Sequence, residues 1–100
     1  MDFFLKNLRE TLDAINSLID NNINVVNCKR IRRCQNVKSS NRSRINFIWR
    51  SLDYLEKEGI LAPNGILKPK NYKILKKDKI NVDDFIQKID KFRKSNLNNY

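Results

Sequence analysis

The sequence contains no histidine among its 100 residues. The usual general base, the usual partner in a nucleophilic triad and the commonest transition-metal ligand are therefore missing together. Its two glycines, Gly59 and Gly65, rule out a glycine-rich phosphate loop. The two cysteines, Cys28 and Cys34, fall on one predicted helix, where the rise between them is ~9 Å and beyond disulfide reach. They are expected as two small buried thiols without a redox or metal role. No apolar run approaches the ~18 residues that read as a membrane span. The opening Met1-Asp2-Phe3-Phe4-Leu5-Lys6 lacks the charged leader and long apolar core of a signal peptide. These absences lead to the expectation of an intracellular, cytoplasmic protein that is not an enzyme and has no cofactor, no metal and no membrane partner.

The most informative absence is local. From Asn21 through Leu52 there is no Asp or Glu, while Lys29, Arg30, Arg32, Arg33, Lys38, Arg42, Arg44 and Arg50 all fall inside that stretch. The formal net charge is +10 and the pI about 9.9. A basic balance alone fits any lysine-rich protein, but a run of uncompensated cations amounts to a patch and favours a polyanionic partner. One hundred residues suit a single small domain, one that buries a modest share of its surface and gains from a partner subunit.

Apolar periodicity supplies the elements. Phe4, Leu5, Leu8, Leu12, Ile15 and Ile19 mark a first helix from about Asp2 to Asp20, capped by Asp2 and ended by Asn21-Asn22. Ile23-Asn24-Val25-Val26 reads as a short strand. Asn27 then suits a helix N-cap, and Val26 with Ile31 has the spacing of a hydrophobic staple. The second helix is expected from Cys28 to about Gln35, with Lys29, Arg30, Arg32 and Arg33 outward. A turn, Asn36-Val37-Lys38-Ser39, leads to a long third helix, capped by Ser39 or Ser40 and ended by Gly59 in the left-handed conformation. Ile45, Ile48, Trp49, Leu52 and Leu55 share its inner face. Ser43, Asn46, Phe47, Arg50, Tyr54 and Lys57 lie opposite, with Arg42 and Arg44 on the flanks. Its acids, Asp53, Glu56 and Glu58, come only in the second half.

Pro63-Asn64-Gly65 carries turn chemistry, as does Lys68-Pro69-Lys70-Asn71. A β-hairpin is expected between about Ile66 and Leu75 with its tip near Pro69 to Asn71; Ile60-Leu61 is the alternative source of a strand. Asn81 caps a last helix bearing Phe85, Ile86, Ile89 and Phe92, followed by a frayed end from Ser95 to Tyr100.

Helix, strand, helix, turn, longer helix, hairpin, helix is the order of the winged helix-turn-helix family. Leu52-Asp53-Tyr54-Leu55-Glu56-Lys57-Glu58-Gly59-Ile60-Leu61 resembles the L-x-x-L-x-x-x-G-L-I end of recognition helices in that family. The resemblance covers about residues 4 to 76; the wing followed by a C-terminal helix is similar to PadR-like and archaeal winged-helix proteins, and small archaeal plasmid-partition proteins share the general build. It implies an α+β, mostly α fold: a three-helix core, a β-hairpin wing and a C-terminal helix. Residues 1–80 would form the DNA-binding domain, and residues 81–100 a helix that dimerises or packs on the first helix.

The resemblance further implies duplex DNA as partner. Ser40, Asn41, Arg42, Ser43, Arg44, Asn46, Phe47 and Arg50 would reach the major groove. Lys29, Arg30, Arg32, Arg33, Lys38 and Ser39 would meet backbone phosphates. Lys68, Lys70, Asn71 and Lys73 would be the wing contacts. An apolar surplus at Phe3, Phe4, Phe85, Ile86, Ile89 and Phe92 suggests a homodimer. A dimeric transcriptional regulator is the leading expectation. A plasmid-partition or chromatin-like protein that spreads along DNA, with a protein partner in the partition case, is the second, and a winged-helix protein–protein adaptor the third. An RNA reader is weaker, because Tyr72 is the single aromatic in the predicted strands.

Overall fold

The computed structural model describes residues 3–67 and 70–98. It is a small α+β structure, mostly helical, with four helices and one antiparallel three-stranded sheet. In chain order these are α1 (Phe3–Asp20), β1 (Val25–Asn27), α2 (Cys28–Gln35), α3 (Arg42–Lys57), β2 (Leu61–Leu67), β3 (Lys70–Ile74) and α4 (Val82–Asn98).

The helix ends follow from local chemistry. Asn27 caps α2 by accepting from the Arg30 amide at 2.9 Å, and the staple residues Val26 and Ile31 are both fully buried. α1, α2 and α3 all stop the same way. A residue with positive φ (Asn22 at 59°, Asn36 at 54°, Gly59 at 77°) turns the chain so that two amides return to the last carbonyls. The returning amides of Ile23, Val37 and Ile60 reach Leu18, Arg32 and Leu55 at 2.8, 2.9 and 3.0 Å. Asn36 thus does in the α2–α3 turn what a glycine does in many such turns, because asparagine tolerates the left-handed region. α3 begins one residue later than the serines suggested: its cap is Asn41, whose side chain accepts from the Arg44 amide at 3.3 Å.

β3 is the central strand, in the order β1-β3-β2. Val26 stands opposite Tyr72 on one side and Pro63 opposite Tyr72 on the other. The expected hairpin needs correction at its first strand. β2 starts at Leu61, and Pro63-Asn64-Gly65 lies inside it and makes no turn there. Between Pro63 and Leu67 the strand advances four residues while β3 covers only the two from Tyr72 to Lys70. The extra residues form a bulge, with Gly65 at φ 70°. Proline is tolerated there because β2 is an edge strand. The expected tip residues Lys68 and Pro69, the cap Asp2 and the terminal Asn99 and Tyr100 lie outside the described residues.

The core is shared by every element. Leu5, Leu8, Leu12 and Ile15 of α1 meet Ile48, Leu52 and Leu55 of α3 and Tyr72 and Ile74 of β3. α4 closes over α1 with Ile86 and Ile89, which are 3% and 8% exposed. These two were expected at a dimer interface; they belong instead to the chain's own core, since α4 packs back on α1. An Arg9–Asp83 ion pair at 2.6 Å and the paired hydrogen bonds between Asn16 and the Ile80 backbone fix that helix in place. α4 is helical through Asn98. The second cysteine is also corrected. Cys28 is buried, and its desolvated thiol is pushed above the usual range; Cys34 is exposed, and Gln35 takes the more inward position near the end of α2.

Candidate nucleic-acid interface

At ~100° per residue, α3 divides into distinct sides. Ile48, Ser51, Leu52 and Leu55 are buried on one side. Arg42, Ser43, Asn46 and Arg50 are exposed on the side opposite. One flank is aromatic: Phe47 is half-buried 6.4 Å from Phe3, and the Arg50 guanidinium lies 5.7 Å above the Phe47 ring. The other flank meets the sheet, where Lys70 reaches Glu56 at 3.6 Å and Asp53 at 3.8 Å. Over the N-terminal half of α3 the free face is therefore a strip of guanidinium, hydroxyl and amide groups, the side chains that suit phosphate oxygens and base edges, while Asp53 and Lys57 follow on the same side in the second half.

Several expected contact residues are committed elsewhere. Arg44 is turned inward: its Nη2 pairs with Glu10 at 2.6 Å and donates to Gln35 Oε1 at 3.1 Å, so one guanidinium ties α1, α2 and α3 together. Arg30 donates to the Val25 carbonyl at 2.8 Å and clamps α2 to β1. Asn41 is the α3 cap. Asn71 is half-buried in the sheet and accepts from the Asn27 amide at 2.9 Å, away from any tip. Lys70 is folded back onto α3. Phe47 packs beside Phe3 and is only partly open to a groove.

What remains is a smaller and better-defined set. Lys29, Arg32, Arg33 and Lys38 on α2 and the turn, with Arg42 and Arg50 on α3, are six cations with no acidic partner among the described residues. Ser39, Ser40 and Ser43 are exposed beside them, and Lys73 is exposed on β3. Sequence reasoning missed Asp53 and Glu56 as partners of Lys70, although both precede it on one flank of α3.

The Lys70 site has a pH signature. Burial pushes the Tyr72 phenol above its usual range, against the nearby Lys70 ammonium. Lys70 is itself pushed up, first by its hydrogen bond to the Tyr72 hydroxyl and then by the Glu56 and Asp53 carboxylates. Both groups keep their favoured forms below about pH 10, and the stability they contribute is lost as pH rises from there through the raised folded values. The urea midpoint is expected to drop above about pH 10, and to drop less in Tyr72→Phe. A midpoint that stays flat across that range would contradict the assignment.

Among the described residues, no cluster of His, Cys, Asp and Glu could hold a metal ion, and no helix is long and apolar enough to cross a membrane. Compared with protein-family models, curated proteins and solved structures, the chain matches none.

Proposed function

We propose that this protein binds double-stranded DNA as a winged helix-turn-helix, with α3 in the major groove and the β2–β3 hairpin beside the minor groove or backbone. The observation that carries this reading is the division of labour on α3. Its buried and free faces are opposite, and the free face holds Arg42, Ser43, Asn46 and Arg50 next to the unpaired cations of α2 and the turn. A helix whose basic face were merely solvated would gain nothing from having its neighbours free of acids over the same stretch. Selection of bound sequences from a random duplex pool, followed by footprinting on a long fragment, tests the reading. One protected site supports a regulator, cooperative spreading a partition or chromatin-like role. No retention of duplex would leave a protein–protein adaptor.

Arg50→Ala is expected to lower discrimination among sequences by about 1–3 kcal/mol with the fold intact. Arg44→Ala is expected to do the reverse. It should lower stability by about 1–2 kcal/mol, between the values of exposed and buried pairs, and leave sequence preference unchanged. Urea unfolding and a duplex competition assay on both variants separate them; equal effects would sink the partition of α3 into a structural and a reading side.

The regulator is proposed to act as a dimer. The five phenylalanines fall into two aromatic groups that share α1 and α3. Phe3 pairs with Phe47, while Phe4, Tyr54 and Phe85 stack edge to face and continue to Phe92. Phe3 and Phe92 are 73% and 66% exposed, far more than a monomer needs to leave in water. Sedimentation should show a dimer at micromolar concentration that Phe92→Ser weakens. A wild-type chain that stays monomeric there argues against it.

A further inference from the structure

The unpaired cations are not spread evenly. Lys29, Arg32, Arg33 and Lys38 gather with Asn36 and Val37 around one hollow of about 310 Å³ between α2 and the turn. Positions 29, 32, 33 and 36 share a face of α2. The carboxylates of α1 lie on another side of that helix, where Glu10 and Asp13 line a separate hollow with Cys34. The size sits at the low end of the ~300–1,000 Å³ range of ligand pockets, which suits a small anion better than a drug-sized molecule. Arg32, which lines the hollow, has an Nε donor that is shielded from solvent and without a hydrogen-bond partner. Leaving such a donor unmade is costly, and a turn of the guanidinium that presents it to an oxyanion in the hollow would satisfy it.

The plainer account is that these residues offset the negative end of the α2 dipole. The magnitudes oppose it. That end is worth roughly half an elementary charge, and four full positive charges surround it. The last carbonyls are also occupied already, Arg32 by the Val37 amide at 2.9 Å and Arg33 by the Asn36 amide at 3.4 Å.

We propose that this hollow is a seat for one phosphate group, held by the Arg32 guanidinium fork, with Lys29, Arg33 and Lys38 at its rim meeting the phosphates on either side. That the phosphate belongs to a duplex backbone rests on the DNA-binding reading above; the seat does not, because a free phosphate compound presents the same oxygens.

The test follows the Arg32 Nε–H resonance in the ¹⁵N-labelled full chain, titrated separately with inorganic pyrophosphate and with a short duplex at matched chloride. The resonance is expected to shift saturably with both. Arg32→Gln should cut the salt slope of duplex binding by about 0.9 and abolish the pyrophosphate response, while Arg32→Lys should restore the slope but bind pyrophosphate weakly. Lys29→Gln, at an exposed position, should lower the slope by the same amount and guards against a misfolded Arg32 variant. A duplex-only shift supports the seat as a backbone contact. A pyrophosphate shift without duplex binding keeps the seat and overturns the duplex reading. Duplex binding with an unmoved Arg32 resonance and an unchanged slope in Arg32→Gln overturns the seat and spares that reading. A resonance that neither ligand moves, with no duplex binding, overturns both.

Discussion

Duplex affinity is expected to fall about a thousand-fold between 50 and 200 mM salt. Each neutralised phosphate contributes about −0.9 to the slope of log affinity against log salt, so six contacts give about −5, and a fourfold rise in salt then costs roughly 10³. The six are Lys29, Arg32, Arg33, Lys38, Arg42 and Arg50, the cations of the acid-free stretch that have no acidic partner among the described residues and are not tied to a backbone carbonyl as Arg30 is. Counting by sequence would have added Arg30 and Arg44. Their commitments to the Val25 carbonyl and to Glu10 predict that Arg30→Gln and Arg44→Gln leave the slope where it was. Fluorescence anisotropy of a labelled duplex across a salt series measures all of this. A nearly flat series would remove duplex binding, and a slope lowered by Arg44→Gln would show that its guanidinium leaves Glu10 in the complex.

Leu52→Ala is expected to be the most damaging single change to the fold. Leu52 is fully buried in the cluster that also holds Leu8, Leu12 and Tyr72. Removing such a side chain costs its transfer free energy and leaves a cavity, about 2–5 kcal/mol together. Small domains have only about 5–15 kcal/mol in total, so the loss is a large share of it. Thermal unfolding should come about 10–25 °C earlier. Asn46→Ala, one turn and a half away on the free face, should stay within about 0.5 kcal/mol of wild type. A Leu52→Ala variant as stable as wild type would mean that the α1–α3 packing is not as described.

What could be read in the sequence was what short-range chemistry decides. The α2 start was legible because its cap and staple, Asn27, Val26 and Ile31, are within five residues of one another. The inner face of α3 was legible because its period is regular. Errors arose where a distant residue settles the matter. Arg44 looks like one more cation until Glu10, 34 positions away, claims it. Ile86 and Ile89 were placed at a dimer interface, with packing of the last helix on the first as the alternative, because nothing local decides between a partner subunit and α1. Pro63-Asn64-Gly65 has the chemistry of a turn, but Tyr72 and Lys70 on the neighbouring strand pair with Pro63 and Leu67 on either side of Asn64-Gly65-Ile66, so the segment becomes a bulge within β2. The free face of α3 was named in advance, and its two flanks, one aromatic and one against the sheet, were not.

The position of β1 has a consequence for how the chain assembles as it is made. This three-residue strand has β3 as its one partner in the sheet, and its residues pair with others 44 to 48 positions downstream. α1, α2 and α3 are all complete before β2 and β3 in the order of synthesis, although α1–α3 contacts such as Phe3–Phe47 and Phe4–Tyr54 span as much sequence as the β1–β3 pairs. The three helices are therefore made while Val26 still lacks its cross-strand partner, and the emergence of Tyr72 supplies it. Closure of the sheet is then a late event in biogenesis, and a nascent chain stalled before residue 72 would hold α3 on a half-built platform.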